Sequence, residues 1–275
     1  MGKPGHVIAV SNQKGGSGKS TVTANEAVLF AEKGFKVLCI DTDPQSHASR
    51  LLLDPNKPIP TSQTIHSLFE DRIYKGQPPI IHSGKTDNLD VIPGCLDLAV
   101  KPQETALLTK AEERVDMFLE QYGDSYELVF IDCPPDLGIY ALNAFFTADW
   151  VLAPVPPESL ALDGIAKLID RIDMVSDFNP DIKFMGVVTT MLDERMLSHK
   201  TWWDETIKTF DTDYLGHIHN ASIIKDATDR EKTLVEYEKQ NRAYSEFLAL
   251  GKKIAQRIGV DINGKEKRRK NRSRA

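Results

Sequence analysis

A chain of 275 residues, 41% hydrophobic and 27% charged, is long enough to bury one large α/β core. The formal charge of −6 argues against a chain that is basic throughout, and Cys39, Cys95 and Cys133 offer neither a disulfide framework nor a C-x-x-C metal spacing. No apolar run reaches membrane-spanning length and residues 1–10 lack a signal-peptide core, so a cytoplasmic location is expected.

Short apolar runs alternate with helix-compatible stretches. The pattern predicts a strand over 7–10, then a helix over 21–33 stopped by Gly34. A second strand over 36–40 runs into Asp41-Thr42-Asp43-Pro44, and residues 54–64 read as loop. A short helix is expected near 65–71, a strand at 89–92, and a polar helix over 103–122 with Leu107, Leu108, Val115 and Phe118 as its apolar positions. Strands follow at 127–131, 150–153 and 184–189, with a helix over 159–175. An amphipathic helix over 243–258 carries Phe247, Leu250, Ile254 and Ile258. Nearly all-apolar strands alternating with helices predict a doubly wound, mostly parallel sheet with helices on both faces. One domain is expected over 1–262 and a basic, disordered tail over 263–275.

The most informative segment is Ser11-Asn12-Gln13-Lys14-Gly15-Gly16-Ser17-Gly18-Lys19-Ser20-Thr21, between the first strand and the first helix. Gly15, Gly16 and Gly18 let backbone N–H groups, Ser17 and Thr21 among their neighbours, curl around an anion. Lys19 can reach the β/γ-phosphates, Ser20 can ligate Mg²⁺, and the helix directs its positive end at the phosphates. The plain alternative, a glycine-rich turn with solubilising lysines, does not account for three glycines, two lysines and Ser-Thr in register after a strand.

Two further segments complete the set. Asp41 and Asp43 emerge from the end of an apolar strand, where α/β proteins place ligands. In Leu128-Val129-Phe130-Ile131-Asp132-Cys133-Pro134-Pro135, four apolar residues lead to an aspartate that can hold Mg²⁺ through water. Alone, either segment would be an Asx turn or a core strand with a polar end; beside a phosphate loop, each reads as part of a nucleotide site.

A phosphate loop with lysines at both ends, Gln13-Lys14 in place of the usual glycine, resembles the deviant Walker A loop of the ParA/MinD/Soj superfamily. The resemblance extends through Asp41-Thr42-Asp43-Pro44-Gln45 and Asp132-Cys133-Pro134-Pro135. It departs at Ser46-His47, where the family continues Gly-Asn. It implies an ATPase using ATP and Mg²⁺, with Lys14, Lys19 and Asp43 as catalytic residues. Asp43 would orient the attacking water, Lys14 would reach a partner subunit's nucleotide, and Ser20, Asp41 and Asp132 would serve the metal. Cys133 belongs to this pattern, so an iron–sulfur cluster with Cys95 is not expected.

In the C-terminal half, Thr189–Arg195 resembles the segment after the sixth strand of ParA ATPases, and 218–227 resembles the family's next loop. His219 replaces a usual proline and Ile223 a usual arginine. The resemblance implies an adenine contact near Asn220 and DNA contacts from Arg195, Lys200, Lys225 and Arg230. Residues 265–274 hold seven basic side chains and one acidic one, leaving about −12 for the rest of the chain. With no apolar side chain to enter lipid, this tail suits a phosphate-binding arm carrying Lys267, Arg268, Arg269 and Lys270 rather than a membrane anchor.

The implied protein is a short, Soj-like partition ATPase. Its ATP-bound homodimer would bind DNA nonspecifically on the nucleoid and segregate DNA with a ParB-like adaptor that stimulates hydrolysis. Rival readings are an ATPase of the same superfamily that positions a chemoreceptor array or organelle, a MinD-like regulator, and a dethiobiotin-synthetase-like ligase.

Overall fold

Strands that are apolar on both faces must be covered on both faces, and the chain winds helices to either side of one sheet. The computed structural model describes residues 2–70, 78–99, 102–159 and 161–263. Its first half runs β1 His6–Val10, α1 Lys19–Glu32, β2 Val37–Asp41, α2 His47–Leu52, β3 Ile81–His82, β4 Leu89–Ile92, α3 Pro102–Ala106, α4 Arg114–Tyr122 and β5 Leu128–Asp132. Its second half runs α5 Ile139–Thr147, β6 Trp150–Val155, α6 Ala161–Ser176, β7 Lys183–Leu192, α7 Leu197–Phe210, β8 Tyr214–His219, α8 Ser222–Asp229, α9 Leu234–Tyr237 and α10 Arg242–Arg257.

Among the described residues the sheet has eight strands in the order β3-β4-β2-β5-β1-β6-β7-β8, parallel throughout except β3 against β4. Alternate side chains go to opposite cores. Ile8, Val10, Val37, Cys39, Leu128 and Phe130 pack with α1 and α10, while Val7, Ala9, Leu38, Ile40, Val129 and Ile131 pack with α4, α5 and α6.

The face over α1 is closed by the end of the chain. Asn25 Oδ1 accepts hydrogen bonds from the Leu234 and Val235 N–H groups at 2.8 and 3.3 Å, so α9 starts on α1. Gly251 of α10 presses so closely that a β-carbon there would lie 2.8 Å from Glu26 Oε2 and 2.9 Å from Leu29 Cδ2.

The chain leaves β1 toward β2 on one side and crosses from β5 to β6 on the other. This opens a crevice at the carboxyl end of β1. The register sets its chemistry: Val10 pairs with Asp132, and Asp132 with Asp41, so the phosphate loop and two carboxylates begin in one row.

The expected strands are present, with β6 and β7 extending beyond the predicted ends. The single helix expected over 103–122 is instead two, α3 and α4, with Lys110 between them in the left-handed region at φ 55°. Tertiary hydrogen bonds set the break. Asn143 Nδ2 donates to the Ala111 carbonyl at 2.7 Å, and the Arg114 guanidinium donates to the Thr109 and Glu70 carbonyls. Leu107, expected on the apolar face, is 86% exposed. The helix near 65–71 is a 3₁₀ turn over Ile65–Phe69. The segment 218–227, likened to a loop, instead ends β8 and enters helix α8 at Ser222; Ile223 and Ile224 pack on the core beneath, and Ala227 is buried. Except for Asn263, the basic tail, with Lys267, Arg268, Arg269 and Lys270, lies outside the described residues.

Candidate nucleotide site

The loop between β1 and α1 is held by β6 and β7. Asn12 Nδ2 donates to the Pro154 carbonyl at 2.6 Å while its Oδ1 accepts from the Lys14 N–H at 2.9 Å, which ties the loop to β6. The Ser11 N–H donates to the Leu152 carbonyl at 3.0 Å, and Thr190 Oγ1 donates to the Ser17 carbonyl at 2.8 Å from β7. Gly16 and Gly18 take φ of 73° and 87°, conformations costly to other residues. Open space surrounds the positions where β-carbons at Gly15 and Gly16 would stand. Gly18 ends the loop with no side-chain cap, so the first N–H groups of α1 remain available.

Lys19 is only 5% exposed, and its Nζ donates to the Lys14 carbonyl at 3.2 Å, folded over the loop's own backbone. Lys14 points elsewhere: its ammonium pairs with Glu158, beyond the end of β6. The two lysines that the sequence places five residues apart therefore belong to different surroundings.

Asp132 is fully buried. Its Oδ1 accepts from Thr23 Oγ1 at 3.1 Å, and its Oδ2 has no hydrogen-bond partner among the described residues. Burial first, then the charge of Asp41, pushes its pKa well above the carboxylate range, while the Ser20 hydroxyl opposes the shift. Asp41 is raised to about 6, mainly by burial, against hydrogen bonds from Ser49. Burial also lowers Lys19, opposed most by Asp132. A buried carboxylate oxygen without a partner among the described residues, near the Ser20 hydroxyl that lines the crevice, fits a hard dication such as Mg²⁺.

Asp43 lines the crevice, and its Oδ1 accepts from the Gln45 N–H at 2.8 Å. Asp41 braces it from behind. Asp41 Oδ1 accepts from the Asp43 N–H at 3.1 Å, and Oδ2 accepts from the Ser49 N–H and hydroxyl at 2.8 and 2.6 Å. Gly94 is needed there, because a β-carbon would stand 2.7 Å from the Asp43 carbonyl oxygen.

The crevice has a volume of about 540 Å³ and is lined by residues 15–21, Asp43 and Pro135. His47 and Arg50 of α2 also line it; sequence reading missed them because α2 was not anticipated. A second cavity of about 240 Å³ adjoins it through Gly18, Thr21, Met191 and Thr228, and Asn220 lines that one. A triphosphate-sized space thus opens into a separate, smaller one.

The expected DNA residues are exposed but dispersed. Arg195 precedes α7 and forms a two-pronged pair with Asp193 at 2.9 and 2.7 Å; Lys200 lies on α7. Lys225 lines the second cavity, and Arg230 lies over the Tyr237 ring at 5.8 Å.

A parallel sheet with a glycine-rich loop feeding an uncapped helix, and an aspartate ending the neighbouring strand, defines a P-loop nucleotide hydrolase. The family model described as AAA domain matches residues 5–184. The chain is 32% identical to the sporulation initiation inhibitor protein Soj of Bacillus subtilis over 253 residues, covering 91% of this chain and 98% of that one. It is 31% identical to the chromosome partitioning protein ParA of Myxococcus xanthus over 256 residues, covering 92% and 89%. Among solved structures it is similar to cobyrinic acid a,c-diamide synthase of Mycobacterium smegmatis with bound ATP analogue and magnesium (28% identity, TM-score 0.66, 75% and 80% covered). The chain belongs to the Soj/ParA family of AAA-domain ATPases. It is an ATPase that uses ATP and Mg²⁺.

Proposed function

We propose that this ATPase segregates DNA, its nucleotide state switching a homodimer that binds DNA nonspecifically and is released when a ParB-like adaptor stimulates hydrolysis. The observation that carries the reading is the division of labour between the two loop lysines. Lys19 serves its own loop, whereas the Lys14 ammonium is directed to the rim, where a second subunit's phosphates could replace Glu158 as its partner. A contact made only when the γ-phosphate is present is the differential interaction a switch requires.

In this reading the N–H groups of residues 15–21 and Lys19 bind the β- and γ-phosphates, and Asp43 orients the attacking water. Ser20 and Asp132 hold the metal; Asp41, its oxygens occupied, contributes charge from the next strand. Bound Mg²⁺ offsets the charge of the transferring phosphoryl group. Asn220 borders the base in the second cavity. Arg195, Lys200, Lys225, Arg230 and the tail supply DNA contacts.

The test is DNA binding by the full chain with ATP, with ADP and without nucleotide. The expected result is binding that requires ATP, together with slow hydrolysis that rises with DNA plus adaptor. The likeness to the diamide synthase favours a second reading, a small-molecule ligase; ATP turnover indifferent to DNA and adaptor would select it.

A further inference from the structure

At the sheet edge opposite β3, β8 carries His217 and His219 two residues apart, hence on one face of the strand. Their rings pack edge to face with centroids 4.8 Å apart, and Trp203 backs His217 at 5.0 Å. Glu246 of α10 faces them. One carboxylate oxygen lies 2.7 Å from His219 Nδ1, and the other accepts from the His219 N–H at 2.9 Å. Glu194 lies 2.6 Å from the opposite ring nitrogen, Nε2. One ligand atom each from His217, His219 and Glu246 fall within 4.8 Å of one another.

We propose that His217, His219 and Glu246 form a binding site for one divalent transition-metal ion of the zinc type, distinct from the Mg²⁺ position at Ser20 and Asp132. Two imidazoles and a carboxylate are a borderline-soft donor set that suits Zn²⁺ or Co²⁺ far better than Mg²⁺. Tetrahedral ligands on zinc stand roughly 3.3 Å apart. Closing the ligand atoms from within 4.8 Å to that spacing would require rotation of the two rings and of the Glu246 carboxyl. Glu194 supplies the outer partner such sites use: it can accept the Nε2–H of His219 while Nδ1 turns its lone pair to the ion.

Arg242 strengthens the case. Its guanidinium pairs with Glu194 at 3.1 Å and Glu246 at 2.9 Å and touches His219 Nε2 at 2.8 Å. A cation therefore already sits in this acidic corner, on a side chain 65% exposed and free to swing out. A metal ion would displace it. His219 also lines the second cavity next to Asn220, so an ion here would fix one wall of that cavity.

The full chain, saturated with Mg²⁺–ADP to occupy the phosphate site, is titrated with Co²⁺, read by visible absorption, and with Zn²⁺, read by competition with a chromogenic chelator. One ion per chain is expected, with affinity falling at least about tenfold in His217→Ala and in Glu246→Gln. Arg242→Ala, on an exposed side chain and safe for folding, should bind more tightly than the parent because the competing cation is gone. Zn²⁺ should raise the melting temperature of the parent and of Arg242→Ala but not of His217→Ala. No ion bound by the parent, equal binding by His217→Ala, or weaker binding by Arg242→Ala would each overturn the site.

Discussion

Replacing Glu158 by glutamine removes the charge that holds Lys14 before any partner arrives. The Lys14 and Glu158 side chains are 37% and 53% exposed, so solvent screens the pair, and it belongs with surface ion pairs worth about 0.5 kcal/mol. A symmetric dimer must release two such pairs, about 1 kcal/mol in all, which corresponds to roughly fivefold in the dissociation constant. Glu158→Gln should therefore tighten the ATP-dependent dimer about fivefold, with the gain shrinking as salt rises. Sedimentation of ATP-loaded protein in an Asp43→Ala background measures this without hydrolysis, with Lys14→Ala, expected to stay monomeric, as the lower limit. An unchanged or weaker dimer in Glu158→Gln would refute the competition between Glu158 and the second subunit.

Asp43→Ala should keep ATP affinity and lose hydrolysis by about a hundredfold or more; phosphate release measures the rate, and normal turnover would move the water-orienting role elsewhere. Glu26 is fully buried, neither of its oxygens has a hydrogen-bond partner among the described residues, and burial pushes its pKa well above 4.5. A carboxyl raised on folding costs nothing while both states are protonated and costs progressively more as pH rises from the unfolded value toward the folded one. The melting-temperature advantage of Glu26→Gln should accordingly be smallest near pH 4 and widen toward pH 8; a gap independent of pH would contradict the buried, uncompensated carboxyl. Gly94→Ala should cost about 1–3 kcal/mol by denaturant unfolding and slow hydrolysis as well, because the added methyl group must push back the Asp43 backbone.

The sheet and the phosphate site were legible because buried parallel strands leave continuous apolar runs and because glycines, lysines and a strand-end aspartate report locally on their task. The strand ending at Asp132 and the loop at Gly15–Lys19 needed no long-range information. What escaped depends on distant partners. The break between α3 and α4 is accompanied by hydrogen bonds from Asn143 to Ala111 and from Arg114 to the Glu70 carbonyl, partners that no window over 103–122 can weigh. The polar α7 and the edge strand β8, with His217, Gly216 and His219 breaking its apolar run, carry weak patterns. The Lys14–Glu158 pair spans 144 positions and has no local signature. Asp41 was expected to support the metal shell; that its oxygens accept hydrogen bonds from Ser49 and the Asp43 backbone is visible only once α2 is in place.

The bond from Asn25 to the start of α9 spans 209 positions, and Gly251 seals the same helix from farther along the chain. During translation the helix that carries the phosphate loop leaves the ribosome early, with one flank unclothed until α9 and α10 emerge. A nascent chain stalled before α9 would thus leave Leu29 and its neighbours without the cover that α9 and α10 provide.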